Sequence, residues 1–224
     1  MKTLVRKHPL AIRWFHWINF PLLMAMIWSG TLIYWAYPIY RIGFGSHTLV
    51  KMTLSQPAWK ELHVNQRLAE GMALHFFFMW FFTINGIAYV LYTIFSGQWR
   101  ALVPNRHSFK EAFQVMLHDL HLRKVAPPPG KFNGAQQIAY TAIILMGLGS
   151  LLTGLAIYKP VQFSWLATML GGYQMARFFH FWLTVGYVVF FVVHVAQVIK
   201  TGWNNFRAMI IGYEVQKNAE AAHD

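Results

Sequence analysis

The sequence contains no cysteine and few charged residues. Without cysteine, disulfide bonds, iron–sulfur clusters held by thiolates and thioether-attached haem are all excluded. Only 12% of the residues are charged, and seven acidic residues stand against nineteen Lys and Arg. None of the seven falls within the four long apolar segments, at positions 14–36, 71–96, 138–158 and 178–199. Proton pumps and ion-coupled transporters usually need an ionisable relay at membrane depth, so this absence argues against those classes.

Apolar residues are what the sequence has in abundance, at 56% of its 224 positions, with 17% aromatic. Each of the four segments is long enough to cross a hydrocarbon core, which takes roughly 20 helical residues. The first segment is too long for the apolar part of a signal peptide, and no small-residue cleavage site follows it. The sequence therefore predicts an all-α membrane protein, a four-transmembrane-helix bundle that forms one domain over residues 1–224.

Lys and Arg are distributed unequally between the connections, and their distribution predicts the orientation. If the N-terminus is cytoplasmic, 13 of the 19 basic residues lie on the cytoplasmic side. The positive-inside rule then places both the N- and C-termini in the cytoplasm. The net charge of +12 needs no nucleic-acid partner, because basic cytoplasmic loops facing anionic membrane lipid account for it.

The positions of the histidines indicate the chemistry. His180 and His194 lie fourteen residues apart in the fourth segment, which advances a helix by about 21 Å and returns the side chain to within about 40°. His16 and His75 lie near the starts of the first and second segments. Matching by depth pairs His75 with His180 near the outer face, and His16 with His194 near the cytoplasmic face. Each pair could supply both axial ligands of one haem iron, which predicts two bis-histidine haems about 20 Å apart.

Five further residues in or beside the spans each have two interpretations. Arg13 and Arg177 lie three residues before a proposed ligand and could pair with haem propionates. Snorkelling to the membrane surface explains them equally well. Gly30, Gly86 and Gly154 lie inside predicted helices, where a missing side chain permits close approach of a macrocycle or simply of another helix.

Several motifs resemble a known family. Residues 13–17, with the sequence RWFHW, followed by SG at 29–30, resemble the first helix of the di-haem cytochrome b subunits of membrane-bound formate dehydrogenases and nickel–iron hydrogenases. Residues 130–137 resemble the start of helix three in the formate dehydrogenase gamma subunit, and TG at 153–154 resembles its end. Residues 159–174 are similar to the outer loop of cytochromes that accompany periplasmic molybdopterin oxidoreductases of the sulfite-oxidase type. The resemblance covers nearly the whole chain.

This resemblance implies two haem b groups with defined ligands. In the family, the residues that match His75 and His180 hold the outer haem, and those that match His16 and His194 hold the inner haem. That assignment agrees with the pairing by depth.

The resemblance also implies a quinone site beside the inner haem, for menaquinone or ubiquinone. The family's quinone-binding asparagine corresponds to Asn133, with His194 as its neighbour in that site. The family's following Ala-Gly is reversed here to Gly134 and Ala135.

We therefore expect an electron-transfer subunit in the bacterial inner membrane. It would relay electrons between the quinone pool and an extracytoplasmic oxidoreductase of molybdopterin or hydrogenase type, docked against residues 38–67 and 159–177. Two alternatives remain open: a stand-alone transmembrane haem reductase without a stable partner enzyme, and a non-redox membrane anchor or transporter whose histidines only pack.

Overall fold

The computed structural model describes residues 2–37, 39–53, 67–119, 121–122 and 132–217. Within them, four helices are long and apolar enough to cross a membrane. These four helices are α1 (Leu10–Ala36), α2 (Leu68–Phe95), α5 (Gly134–Tyr158) and α7 (Tyr173–Thr201). The predicted four spanning segments are confirmed. The orientation of the termini and the single domain stay predictions.

All four helices begin three to five residues before the predicted segments. The prediction placed the ends where charge begins, whereas helical hydrogen bonding continues through Arg13 in α1 and Arg177 in α7. A helix of 27 residues is about 40 Å long, so its ends reach into the polar headgroup layer, where charge is tolerated.

Short elements occupy the connections and were not predicted. Four of them are helices: α3 (Trp99–Leu102), α4 (Arg106–Asp119), α6 (Ser164–Met169) and α8 (Trp203–Ile211). The others are the strands β1 (Lys2–Arg6), β2 (Ile39–Phe44), β3 (His47–Thr53) and β4 (Tyr213–Lys217). The strands form two antiparallel pairs, β1 with β4 and β2 with β3. Both pairs are short additions to a helical protein.

The described residues form two compact units. The first contains α1, the part of α2 up to Gly86, the end of α7 from Thr184, α8 and the β1–β4 pair. Lys7 stabilises its terminal strands, because its ammonium bonds Glu214 at 3.0 Å and Asn205 at 2.9 Å. This anchors the C-terminal segment beside the start of α1.

The second unit contains the β2–β3 hairpin, the end of α2, α3 to α6 and the start of α7. Its buried core is built from small residues with one leucine: Ala156, Leu166, Ala167 and Ala176. The backbone N–H of Gly45, at the turn of the hairpin, donates to the carbonyl of Gly171 at 3.1 Å. Gly171 has a φ of +87°, a conformation that glycine adopts without strain.

The start of α5 is defined by a capping box. The side-chain oxygen of Asn133 accepts the backbone N–H of Gln136 at 2.9 Å, and the Gln136 side chain accepts the Asn133 N–H at 3.1 Å. The next residue, Gly134, is buried against α4, where an added Cβ would lie 2.2 Å from the carbonyl oxygen of Ser108. Only glycine permits this approach between α4 and α5.

Replacing Gly134 by Ala should destabilise the protein. The new methyl would overlap the backbone of Ser108 and force α4 away from α5, at a cost of about 1–3 kcal/mol. Thermal unfolding in detergent should show a lower midpoint for Gly134→Ala. The control is Ala142→Val, which adds volume at an exposed position of the same helix and should leave the midpoint near that of the wild type. Equal midpoints for wild type and Gly134→Ala would contradict the packing.

Candidate functional site

The structure brings His16 of α1 and His194 of α7 together. Their ring centroids are 6.0 Å apart and their planes are tilted by 54°. Metal–nitrogen bonds of about 2 Å, with each ring centre about 1.1 Å behind its bonded nitrogen, place two axial imidazoles on one iron roughly 6 Å apart. The observed separation therefore fits a pair of axial ligands to one iron.

Aromatic rings surround the His16–His194 pair. Trp17 meets His16 edge-on at 5.1 Å, and Phe190 stacks on His194 at 5.8 Å with an angle of 6° between the planes. Nδ1 of His16 is buried and has no hydrogen-bond partner in the described part of the chain. The two imidazole donors and the separation of their rings fit a bound haem at this pair.

His75 and His180 lie in different units, but each has the same kind of environment, which differs from that of the His16–His194 pair. Nδ1 of His75 is 2.9 Å from Oγ of Ser29, and Nδ1 of His180 is 2.8 Å from Oγ1 of Thr153. A glycine follows each hydroxyl residue, and a Cβ on that glycine would lie 3.5 Å from Cε1 of the ring in both cases. Each ring thus lies edge-on against a hydroxyl-glycine dipeptide of another helix, and Nε2 is on the far side of the ring from the hydroxyl.

Close packing of α1 and α2 makes the contact between Ser29 and His75 possible. Gly71 precedes His75 by one helical turn, and a Cβ at Gly71 would lie 2.8 Å from Cβ of Leu32 and 3.1 Å from the carbonyl oxygen of Ser29. Ser29 is fully buried at this contact. The missing side chain at Gly71 lets the two helix backbones approach until the imidazole reaches the hydroxyl.

The two predicted arginines are held by protein groups. The guanidinium of Arg13 donates to the carbonyl of Ile210, and Gly212 lies so close that an added Cβ would be 3.2 Å from Cζ of Arg13. Nε of Arg13 is buried without a partner among the described residues, so it could still serve a propionate. Arg177 lies over the ring of Tyr40 at 5.0 Å. Both arginines connect a helix end to a neighbouring segment, and their pairing with propionates stays a prediction.

The predicted quinone residues also have structural roles. The Asn133 side-chain oxygen is occupied by the cap of α5, and Gly134 is buried under α4. Within the described residues, no protein acceptor is found for the Asn133 amide nitrogen, which leaves a donor for a ligand. Ala135 is half-buried on the next position of α5. These three residues lie in the second unit and His194 lies in the first.

Sequence reasoning missed the roles of Ser29 and Thr153. The pattern that could have revealed them is the repeated hydroxyl-glycine dipeptide, at 29–30 and again at 153–154. The structure gives Gly30 and Gly154 one common position beside a histidine ring, whereas a Cβ at Gly86 would meet nothing within 4 Å. The sequence alone did not show that each dipeptide faces a histidine of another helix.

Four spanning helices, three of which carry half-buried imidazoles, define a class of protein, the membrane-embedded haem or metal proteins. Comparison with known families identifies the member of that class: the family model described as prokaryotic cytochrome b561 matches residues 7–212, and the chain belongs to this family. It is thus a multi-pass bacterial membrane protein of a family that binds haem b. The resemblance to cytochrome b subunits is confirmed.

A relative from Azospira oryzae has a sequence similar to this chain. It carries the name "Putative protein-methionine-sulfoxide reductase subunit YedZ1" and is 30% identical over 198 residues. The match covers 88% of this chain and 92% of the relative.

Gly30, beside His75, gives a steric test of the prediction that His75 is a haem ligand. Gly30→Ala should keep the haem content, because the added Cβ would be in ordinary van der Waals contact with the His75 ring at 3.5 Å. Gly30→Val should lose haem from the site of His75, because a γ-methyl would displace the ring. Haem per polypeptide, measured as the pyridine haemochrome, checks this, with Thr31→Val as the control on the same helix. Full haem content in Gly30→Val would contradict the placement of the ring.

Proposed function

We propose that the protein is a di-haem b cytochrome of the bacterial inner membrane, which relays electrons between an extracytoplasmic oxidoreductase and the quinone pool. The observation that carries this proposal is the His16–His194 pair, whose ring centroids are 6.0 Å apart. His75 and His180 would hold the second haem. Each of the two presents Nδ1 to a hydroxyl and has Nε2 on the opposite side of its ring.

The number of protein ligands supports haem over a bare metal ion. Within the described residues, no group of three or more His, Cys, Asp or Glu could hold a metal ion. Two imidazoles can hold a metal ion only when other donors complete its coordination. Haem would supply the remaining nitrogen donors together with one-electron redox chemistry. The chain's own part is to hold the axial imidazoles and to keep water away from them.

Two aromatic side chains pack together at the height midway between the two histidines of α7. Tyr187 lies seven residues from both His180 and His194 along α7 and is buried. Its ring meets Phe82 edge-on at 6.4 Å, and Phe82 in turn lies seven residues after His75. These two rings would place apolar aromatic surface between the two proposed haems.

Quinone would be handled near the cytoplasmic face, with the Asn133 amide donating to a quinone oxygen and Gly134, Ala135 and His194 beside it. An almost wholly apolar cleft of about 190 Å³ in the second unit could receive the isoprenoid tail. Its lining includes Thr141, which is eight residues, or about 12 Å, along α5 from Asn133. The four predicted apolar segments contain no carboxylate, so protons would come from connection groups such as Asp119 and His118.

The partner would be an oxidoreductase on the outer face. The name of the Azospira relative, a subunit of a sulfoxide reductase, supports a molybdopterin-type partner more than a hydrogenase. The predicted docking surface includes the β2–β3 hairpin and residues 159–177, which the structure describes. Its remainder, at 54–66, lies outside the described residues. Basic side chains Arg41 and Lys51 face each other across the hairpin and give this surface positive charge.

Haem counting tests the proposal and its pairing. The reduced-minus-oxidised visible spectrum of the purified chain should show two low-spin b haems per polypeptide. The double variant His75→Ala with His180→Ala should lose one haem, and so should His16→Ala with His194→Ala, because each removes both ligands of one group. His75→Ala with His16→Ala should lose both haems. His47→Ala, in an exposed strand, is the control and should keep both.

Other haem counts would contradict parts of the proposal. One haem in the wild type would remove the transmembrane relay and favour the stand-alone reductase. A colourless protein, expressed with ample haem, would favour the membrane anchor or transporter. Two haems with losses that follow another pairing would overturn the ligand assignment alone.

The role of Asn133 needs a variant that separates binding from capping. Asn133→Ser keeps an oxygen cap for α5 but removes the amide donor, so quinone turnover should fall about tenfold, the value of one hydrogen bond, while the unfolding midpoint is kept. Asn133→Ala should lower the midpoint as well, because it removes the cap at about 1 kcal/mol. Haem reduction by a soluble quinol analogue measures the turnover. Unchanged turnover in Asn133→Ser combined with Asp119→Asn would remove both residues from the quinone site.

A further inference from the structure

The hydroxyl groups beside the outer histidines have already used their only protons. Oγ of Ser29 donates to the carbonyl of Ala25 at 2.7 Å, and Oγ1 of Thr153 donates to the carbonyl of Gly149 at 2.7 Å. Both are bonds to the preceding turn of the same helix, and a hydroxyl has one proton and two acceptor lone pairs. The hydroxyl oxygen is therefore the acceptor in its contact with the imidazole.

The direction of these bonds determines the tautomer of each ring. If the hydroxyl accepts, Nδ1 carries the proton that it donates, at 2.9 Å for His75 and 2.8 Å for His180. A neutral imidazole has one N–H, so Nε2 then carries a lone pair.

We infer that Ser29 and Thr153 are positioning residues that hold His75 and His180 as Nδ1–H tautomers, each with an Nε2 lone pair for haem iron, and that they lower the reduction potential of the outer haem. The inference rests on the proposed function, because it requires His75 and His180 to be the axial ligands. A histidine that donates its second N–H is a more basic ligand with a fixed ring orientation. A more basic ligand stabilises the ferric form, so the reduction potential falls.

Burial makes both hydroxyls effective acceptors. Ser29 is 0% exposed and Thr153 is 3% exposed, so water does not compete for either contact. The glycine that follows each hydroxyl keeps the ring edge against the helix, with its would-be Cβ 3.5 Å from Cε1. The same arrangement occurs at two positions on different helices, which argues against a chance contact.

The inner pair lacks this arrangement at His16. Its Nδ1 is buried with no hydrogen-bond partner among the described residues, so no hydroxyl acts on that ring. The effect of Ser29 and Thr153 should therefore be confined to one of the two haems. An effect on one haem alone distinguishes a positioning role from a general loss of protein stability, because a loss of stability would affect both haems.

The experiment is an optical redox titration of the purified full-length holoprotein. The outer haem is identified as the component that is absent in His75→Ala. Ser29→Ala and Thr153→Val should each raise its midpoint potential, and the double variant should raise it further, while the inner component stays in place. The g-values of the outer low-spin haem in electron paramagnetic resonance should shift with the potential, because the ring orientation is released.

Matched variants complete the design. Ser29→Thr and Thr153→Ser keep a hydroxyl at each position and should therefore keep the wild-type reduction potential. Thr31→Val is the control, because the Thr31 hydroxyl bonds only the carbonyl of Ile27 in its own helix. It should leave both potentials unchanged. If the double variant loses the outer haem altogether, the inference is supported when the two hydroxyl-restoring variants keep it.

The outcomes for the inference and for the proposed function are distinct. Unmoved potentials and g-values in the double variant, together with loss of one haem in His75→Ala, would overturn the inference and leave the proposed function standing. An equal shift of both haems would also overturn it. Retention of both haems in His75→Ala with His180→Ala would remove the ligand assignment and the inference with it.

Discussion

An imidazole inside a membrane must find partners for both of its nitrogens, and the arrangement of this protein depends on that requirement. Hydrocarbon offers no water, so each unsatisfied polar group costs several kcal/mol. At His75 and His180 a hydroxyl of another helix satisfies Nδ1. At His16 the buried Nδ1 has no partner among the described residues, beside a second imidazole 6.0 Å away. A bound haem iron would be the partner of the second nitrogen of each ring.

Helix packing and ligand geometry are therefore coupled. The Ser29 hydroxyl reaches His75 only because Gly71 lets α1 and α2 approach to a distance at which any side chain would overlap Leu32. Gly30 then leaves just enough room for the ring edge. Small residues in membrane helices are usually explained by tight packing alone. In this chain the tight packing also places the Ser29 hydroxyl within hydrogen-bond distance of the half-buried His75 ring.

The sequence predicted those features that depend on composition along the chain. Apolar length specifies the four spans, and the depth of each histidine along its span follows from helix rise. It did not predict the short strands, because β1 and β4 pair across almost the whole length of the chain. Nor did it reveal that Asn133 caps α5, since the match to the family's quinone-binding asparagine suggested only a ligand. The face that a helix turns to its neighbour is a tertiary property, so the partners of Nδ1 became visible only in the structure.

The two proposed sites differ in what supports their histidines. Hydroxyls hydrogen-bond the rings of His75 and His180. The ring of His16 instead contacts Trp17, whose indole N–H donates to the carbonyl of Met209 in α8 at 3.0 Å. The same indole meets Phe206 of α8 edge-on at 6.1 Å, and Arg13 holds the end of that helix. A displacement of α8 would thus move Trp17 against the His16 ring. The C-terminal helix is consequently part of the support of the inner pair, and the family match that extends to residue 212 includes it.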